Sequence, residues 1–207
     1  MILSFNEIEA LASKATRGAG LDWGLAEEAA AAARWLAERG LDWSSAVLLR
    51  CRTRASQDMH VEGTSVRGEV LCPLRLGAYL ADAGLSSSGL TLRDVAVPLL
   101  LMPFLARAGT RPLTVTFGGQ AAYAIAGSDT YSLSGGGDAR VGLSTTAVTL
   151  TLGTRIETLP PLAVRVRPLP VSVDVLEALA VFERQTYVPA SAQSRLAGAG
   201  AGLSDND

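Results

Sequence analysis

The chain has 207 residues, of which 48% are hydrophobic and 18% charged, and its formal net charge is -2. Because 20 acidic and 18 basic residues are mixed along the chain, it lacks the one-sided positive field that binds nucleic acid or an anionic membrane. Lys14 is the only lysine and lies in a helical pattern, which excludes pyridoxal phosphate enzymes and P-loop nucleoside triphosphatases.

The first fifty residues predict helices. Ser4 followed by Glu7 is a capping box, and the helix that it starts should end near Gly18 to Gly20, where glycine permits a positive φ. Asp22 should cap a second, alanine-rich helix that runs to about Arg39. Its small side chains favour close packing on the first helix or another element. A third, short helix is predicted at 45–50.

The middle of the chain has no sustained period, because polar turn residues interrupt each apolar run. Short strands are predicted at 60–62 and 68–72, and a helix at 76–83 that ends at Gly84. Thr91 and Asp94 form another capping-box pattern, which predicts a proline-kinked apolar helix that continues to about Arg107.

After residue 112 apolar and polar residues alternate, which is typical of β-strands. The predicted strands are 112–117, 121–126, 129–134, 139–144, 147–152 and 162–167. Their connections are too short for parallel crossovers, so neighbouring strands should be antiparallel. A C-terminal helix is expected at about 173–185, followed by a Gly/Ala-rich tail at 196–207.

These elements predict an α+β fold in which N-terminal helices pack with a mainly antiparallel β meander and a C-terminal helix. We expect one domain over 1–207, with a helical part at about 1–107 and the meander at about 112–167. The two cysteines, Cys51 and Cys72, are too few for a disulfide framework in a chain of this length, and we expect them not to be bonded to each other. The chain begins without signal-peptide features, so we expect a cytoplasmic protein.

The only histidine gives the most distinct local cluster. In an extended strand Asp58, His60 and Glu62 would share one face, where they could bind a metal or serve acid/base chemistry, although a solvated polar strand is the simpler interpretation. A nucleophilic pair of Cys72 and His60 is an alternative. The zinc deaminase pattern is not met, because the Cys72-Pro73 order is reversed and a second cysteine is missing.

Two similar glycine segments lie near the two ends. Gly18-Ala19-Gly20 is followed by Asp22, and Gly200-Ala201-Gly202 by Asp205, so each could form a nest of backbone N–H groups beside a carboxylate. Neither matches a dinucleotide-binding motif. For the second segment a flexible linker is the simpler interpretation. No cofactor is predicted.

The motifs at the two ends carry a family resemblance. Asn6 to Ala12, Arg17 to Ala29 and Ala33 to Leu36 resemble the opening of an uncharacterised bacterial family, a domain of unknown function. Further segments that resemble it are Leu71 to Leu74, Gly77-Ala78, Pro98 to Phe104, Thr186 to Ser191 and Gly200 to Asp207. The resemblance implies a bacterial cytoplasmic protein and carries over no activity or catalytic residue.

Two functions remain open at this point. The favoured one is an accessory or oligomerisation subunit associated with small-molecule metabolism, either as a homo-oligomer or with a partner enzyme. The alternative is a small-molecule enzyme or binding protein whose site lies between the 17–27 loop and the C-terminal tail and takes a small anionic ligand. The candidate binding residues of that site are Arg17, Asp22, Trp23, Glu27, Tyr187, Arg195, Asp205, Asn206 and Asp207.

The tail itself should be docked, with its acidic end near Arg17 or Trp23. Residues 203–207 combine one apolar side chain with four hydrogen-bonding side chains, two of them carboxylates, which is more than a spacer needs. Removing them should therefore lower the melting temperature or abolish ligand binding.

Overall fold

The structure is a computed structural model, and it describes residues 1–55, 58–85, 89–108, 113–117, 121–125, 131–134, 143–152 and 164–187. Six α-helices, one 3₁₀ helix and seven strands lie within these residues. No described helix has both the length and the apolar character needed to cross a membrane.

Three helices open the chain as predicted: α1 (Phe5–Gly18), α2 (Trp23–Glu38) and α3 (Trp43–Arg52). The Ser4 hydroxyl accepts a hydrogen bond from the Glu7 N–H, and the Glu7 carboxylate accepts one from the Ser4 N–H, which confirms the capping box. Asp22 caps α2 through the Leu25 N–H. The third helix extends beyond the predicted 45–50 at both ends, and Asp42 is its N-cap.

Small residues bring the first helices close together. Buried Ala12 and Ala15 of α1 and the buried alanines of α2 allow the contact that the composition predicted. At the end of α1, a Cβ on Gly18 would lie 1.8 Å from the Phe182 carbonyl oxygen, so only glycine allows this approach. The last helix, α6 (Val173–Arg184), packs against α1 and α3, with Leu179 fully buried.

The middle region contains strands β1 (His60–Glu62), β2 (Ser65–Arg67) and β3 (Leu90–Val95), helix α4 (Pro73–Ala83), the 3₁₀ helix Pro98–Leu101 and α5 (Met102–Ala108). The strand predicted at 68–72 is wrong. Leu71 forms only an isolated bridge with Val95, and Pro73 then begins a helix. The region 1–107 is therefore not purely helical.

The helix predicted from Thr91 is also wrong at its start. Residues 90–95 pair with β7 (Thr146–Leu152), and this pairing overrides the local capping pattern. Positive φ angles at Asp94 and Val97 then turn the chain before the helical segments begin at Pro98. The apolar run is buried as expected, with Phe104 fully enclosed.

The sheet also contains β4 (Leu113–Phe117), β5 (Ala121–Ile125) and β6 (Tyr131–Ser134), and its strand order is β1-β2-β3-β7-β4-β5-β6. Every pair is antiparallel except β2 with β3, whose crossover contains α4. The α+β fold with a mainly antiparallel sheet is thus confirmed. The meander is partial, because β7 lies between β3 and β4.

One further predicted strand, at 162–167, is not found in its described part. Residues 164–167 are not a strand; their backbone runs past α2, and the Arg165 N–H donates to the Glu38 carbonyl at 2.6 Å. Of the strand predicted at 139–144, only residues 143–144 are described, and they are not in a strand. The tail at 196–207 lies outside the described residues, and the single domain over 1–207 stays a prediction.

Candidate functional site

A cleft of about 420 Å³ lies where the turn between α1 and α2 meets the end of α3 and the start of α4. We call it the arginine cleft, because four arginines line it. The complete lining is Ala19, Gly20, Leu21, Asp22, Leu25, Arg50, Cys51, Arg52, Thr53, Arg54, Ala55, Cys72 and Arg75.

Local structure places these arginines together. Arg50 and Arg52 occupy the last turn of α3, where cations interact favourably with the helix dipole. Arg54 follows just after the helix, and Arg75 lies in the first turn of α4. Among the described residues no carboxylate lies within 4.0 Å of Arg50, Arg52 or Arg54, and Arg75 approaches one only at 3.7 Å, from Asp22. The cleft therefore concentrates positive charge in a protein of net negative charge.

Arg50 is the most unusual of the four, because its side chain is buried without a counterion. The residue is only 8% exposed. Its Nη1 donates to the Thr53 carbonyl at 3.2 Å, and its Nη2 donates to the Cys72 Sγ at 3.3 Å. The buried Nε has no hydrogen-bond partner within the described part of the chain. A buried N–H without a partner typically lowers the stability of the folded state by about 1–3 kcal/mol. The buried Nε of Arg50 therefore needs an explanation.

Two free cysteines, Cys51 and Cys72, line the same cleft. Burial raises the pKa of the Cys51 thiol to about 12, and the charge of Arg50 offsets this only in part. Cys72 is buried at the N-cap of α4, where no side chain caps the helix. The polar group at its sulfur is Arg50, whereas His60, its partner in the nucleophilic-pair hypothesis, is exposed on β1.

The predicted 17–27 loop is shorter in the structure, because α1 ends at Gly18 and α2 begins at Trp23, and the turn at 19–22 lines the cleft. Asp22 lines it, and the guanidinium of Arg17 lies 4.9 Å from the ring centre of Trp23 beside it. The predicted nest at Gly18 to Gly20 is wrong. The N–H groups of Ala19, Gly20 and Leu21 all donate to carbonyls of α1, so they are not available to a ligand.

Two of the other predicted binding residues, Glu27 and Tyr187, are not brought to the cleft. The Tyr187 hydroxyl donates to Glu183 at 2.7 Å, on the α1–α6 face beside Lys14. Glu27 is exposed on α2 and does not line the cleft. The remaining four, Arg195, Asp205, Asn206 and Asp207, lie outside the described residues, as does the glycine segment at 200–202.

The metal alternative gains no support from the geometry. Asp58, His60 and Glu62 are exposed, and the Glu62 carboxylate accepts a hydrogen bond from Arg67. Among the described residues, no three side chains of His, Cys, Asp or Glu are grouped so as to hold a metal ion.

The four arginines of the cleft are not among the site residues predicted from the sequence. One signal was available: Arg50, Arg52 and Arg54 recur at every second position around Cys51, in a chain with a single lysine. That spacing has no meaning within a single helix, where residues i and i+2 lie on different faces. It matters here because α3 ends at Arg52, so that the chain turns and brings Arg54 to the same cleft.

A protein-family model matches residues 3–62 of the chain. The matching family is described as "Protein of unknown function (DUF3726)". The resemblance to a family of unknown function is confirmed over this stretch. The matched residues include Asp22, Arg50, Arg52 and Arg54, although not Arg75 or Cys72. No curated protein and no solved structure matches the chain.

Proposed function

We propose that this protein binds a small anionic molecule, with carboxylate or phosphate groups, in the arginine cleft. This is the binding-protein alternative of the sequence analysis, with its site moved from the C-terminal tail to the ends of α3 and α4. The setting that we propose is the cytoplasm of a bacterium, where free thiols such as Cys51 and Cys72 stay reduced.

The observation that carries the proposal is the Arg50 guanidinium, which is buried at the cleft with no carboxylate within 4.0 Å of it among the described residues. Taking a cation out of water is unfavourable by several kcal/mol unless an anion or a full set of hydrogen bonds replaces the water. A bound anion would supply that compensation. The same reasoning explains why burial of Arg50 is tolerated next to three further arginines.

The geometry is also suited to an anion. Arginine presents a planar set of N–H donors that matches carboxylate and phosphate oxygens, often with two parallel hydrogen bonds. The volume of about 420 Å³ is within the range of small-molecule sites. Asp22 at the rim provides a carboxylate that can accept from a hydroxyl or amino group of the ligand.

The test is thermal unfolding with inorganic phosphate or malonate, each compared with chloride at the same ionic strength. A ligand at 100 times its dissociation constant stabilises the folded state by about 2.7 kcal/mol. For a chain of this size we therefore expect the melting temperature to rise by about 5–10 °C.

Two double variants with the same change in charge make the result specific. Arg52→Gln with Arg75→Gln alters the cleft, and we expect it to lose most of the anion-induced shift. Arg34→Gln with Arg107→Gln alters arginines that pair with Glu9, Glu38 and Glu28 elsewhere, and it should keep the shift. Equal loss in both variants, or no shift in the wild type, would overturn the proposal.

The accessory-subunit function remains the second candidate. It is favoured by exposed apolar side chains on and before α6, where Val166 is 93%, Val173 52% and Val181 49% exposed. Such side chains are typical of contact surfaces when they cluster. In this function the protein would associate with itself or with a partner enzyme. Binding of a small metabolite in the cleft would then regulate that association.

A further inference from the structure

Asp22 is the one acidic residue in the described lining of the arginine cleft. One of its carboxylate oxygens, Oδ1, caps α2 by accepting from the Leu25 N–H at 2.8 Å. The other, Oδ2, accepts no hydrogen bond from the described residues, and the one described cation within 4.0 Å of it is Arg75, at 3.7 Å. The side chain is 62% exposed. A carboxylate oxygen is therefore free to accept from a ligand at the rim of the cleft.

The capping role of Asp22 does not require its charge. Asparagine, serine and aspartate cap helices about equally well, because each supplies an oxygen to the first backbone N–H groups. The helix dipole favours a carboxylate at an exposed N-terminus only modestly. Inside the cleft, by contrast, a negative charge weakens the binding of every anion unless the ligand brings a cation next to it. The charge of Asp22 therefore distinguishes ligands that the arginines alone would not.

The charges of the cleft are separated by structural element. Arg50 and Arg52 come from the last turn of α3, and Arg54 follows that helix. Asp22 precedes α2, and its only described cation within 4.0 Å is Arg75 of α4. The carboxylate thus leaves the three arginines at the end of α3 uncompensated. A ligand with acidic groups at the α3 side and an ammonium group at the α2 side matches this separation.

We propose that Asp22 is the specificity-determining residue of the arginine cleft and that it selects amino acids of net negative charge, which carry two acidic groups and one ammonium group. This inference rests on the proposed anion binding and names the class of ligand. The arginines bind the acidic groups, and Asp22 Oδ2 accepts a hydrogen bond from the ammonium group. A hydroxyl can donate to the same oxygen, but only an ammonium group also offsets the repulsion between Asp22 and the acidic groups.

The experiment uses the full-length protein and two pairs of ligands that differ in one ammonium group: L-aspartate with succinate, and L-glutamate with glutarate. Calorimetric titration at neutral pH and constant ionic strength gives the dissociation constants. Asp22→Asn removes the charge and keeps a capping oxygen for α2. Asp42→Asn is the matched control, because Asp42 caps α3 in the same way, through the Ser45 N–H, at the end of that helix away from the cleft.

We expect the wild type to bind each amino acid about three- to fivefold more tightly than the matching diacid, near the upper limit for a partly exposed pair of opposite charges. Asp22→Asn should reverse this order, because the arginines alone favour the ligand with the greater negative charge. Asp42→Asn should keep the order of the wild type.

The outcomes separate this inference from the proposed function. If the wild type binds the diacids as tightly as the amino acids, or if Asp22→Asn keeps the preference, the inference is overturned. Equal loss of the preference in Asp42→Asn would overturn it as well. If none of the four ligands binds while phosphate raises the melting temperature, the inference alone fails. If no anion binds and neither phosphate nor malonate raises the melting temperature, the proposed function fails and the inference with it.

Discussion

Cationic side chains behave differently in two regions of this molecule. On the surface formed by α1, α2, α5 and α6, which we call the paired surface, each of three cations meets a carboxylate at 2.8–3.0 Å: Lys14 with Glu183, Arg34 with Glu9 and Glu38, and Arg107 with Glu28. In the arginine cleft, the only described ion pair is the 3.7 Å contact between Arg75 and Asp22.

Under the proposed function, the difference separates cations that stabilise the fold from cations that would bind a ligand. Exposed ion pairs join neighbouring elements and typically contribute 0.2–1 kcal/mol each. A cation that is buried or clustered without carboxylates makes folding less favourable, so its presence is better explained by binding. Sites that bind are commonly not optimal for stability.

The largest expected effect comes from Arg50→Met, which fills similar space without charge. Charged hydrogen bonds contribute about 1.5–3 kcal/mol, so anion affinity should fall by about 10- to 150-fold. The variant loses hydrogen bonds to Thr53 and Cys72 but also removes the unpartnered Nε, so the stability of the ligand-free protein should change by less than about 1 kcal/mol. Calorimetric titration and urea unfolding measure the two quantities. If the variant lost much stability while its affinity for the anion stayed unchanged, Arg50 would be a structural residue. The arginine cleft would then not differ in role from the paired surface.

Arg34→Met tests the paired surface. Arg34 donates to Glu38 and Glu9 at 2.9 Å and to Asn6 at 3.1 Å, and so links α1 with α2. Its loss should lower stability by about 1 kcal/mol, which corresponds to roughly 2–4 °C in melting temperature. The shift produced by phosphate should be the same as in the wild type. Weaker phosphate binding in this variant would show that the two regions are not independent.

The smallest effect is a pH dependence at Glu183. The hydrogen bond from Tyr187, and after it that from Lys14, hold the pKa of Glu183 below its ordinary value of 4.5. A lowered pKa in the folded state adds stability above pH 4.5, and this stability is lost as the pH falls through the folded-state value. Wild type should therefore exceed Glu183→Gln in urea midpoint near neutral pH, and the difference should shrink in acid. A difference that grows in acid would contradict this account.

The helices that local signals define were predictable from the sequence. Helix caps depend on residues that are close together in the chain, so a short stretch of sequence contains both the donor and the acceptor. Examples are the capping box at Ser4 and the Asp22 cap of α2. The alternating Thr and apolar residues of β4 and β7 were equally informative, because one face of each strand is buried.

The errors have a common physical origin in pairing between distant segments. Thr91 and Asp94 satisfy a helix-capping pattern, yet residues 90–95 form a strand because β7 pairs with them. The site shows the same effect, since Arg50 and Cys72 are brought together only when α3 and α4 meet. Arg75 likewise reaches the cleft from α4, where no local pattern marked it.

The position of β7 also sets the order in which the molecule can be completed during synthesis. β3 and β4 do not touch as neighbours in the sheet, and the strand that separates them is the last of the seven to leave the ribosome. Until residues 146–152 emerge, the nascent sheet consists of two fragments with open edges, of the kind that invites wrong pairing. The α1 helix can pack on α2 early, whereas its contact with α6 forms later still. The described sheet and the contact between α1 and α6 are therefore complete only when the C-terminal part of the chain arrives, which favours completion of the fold after translation.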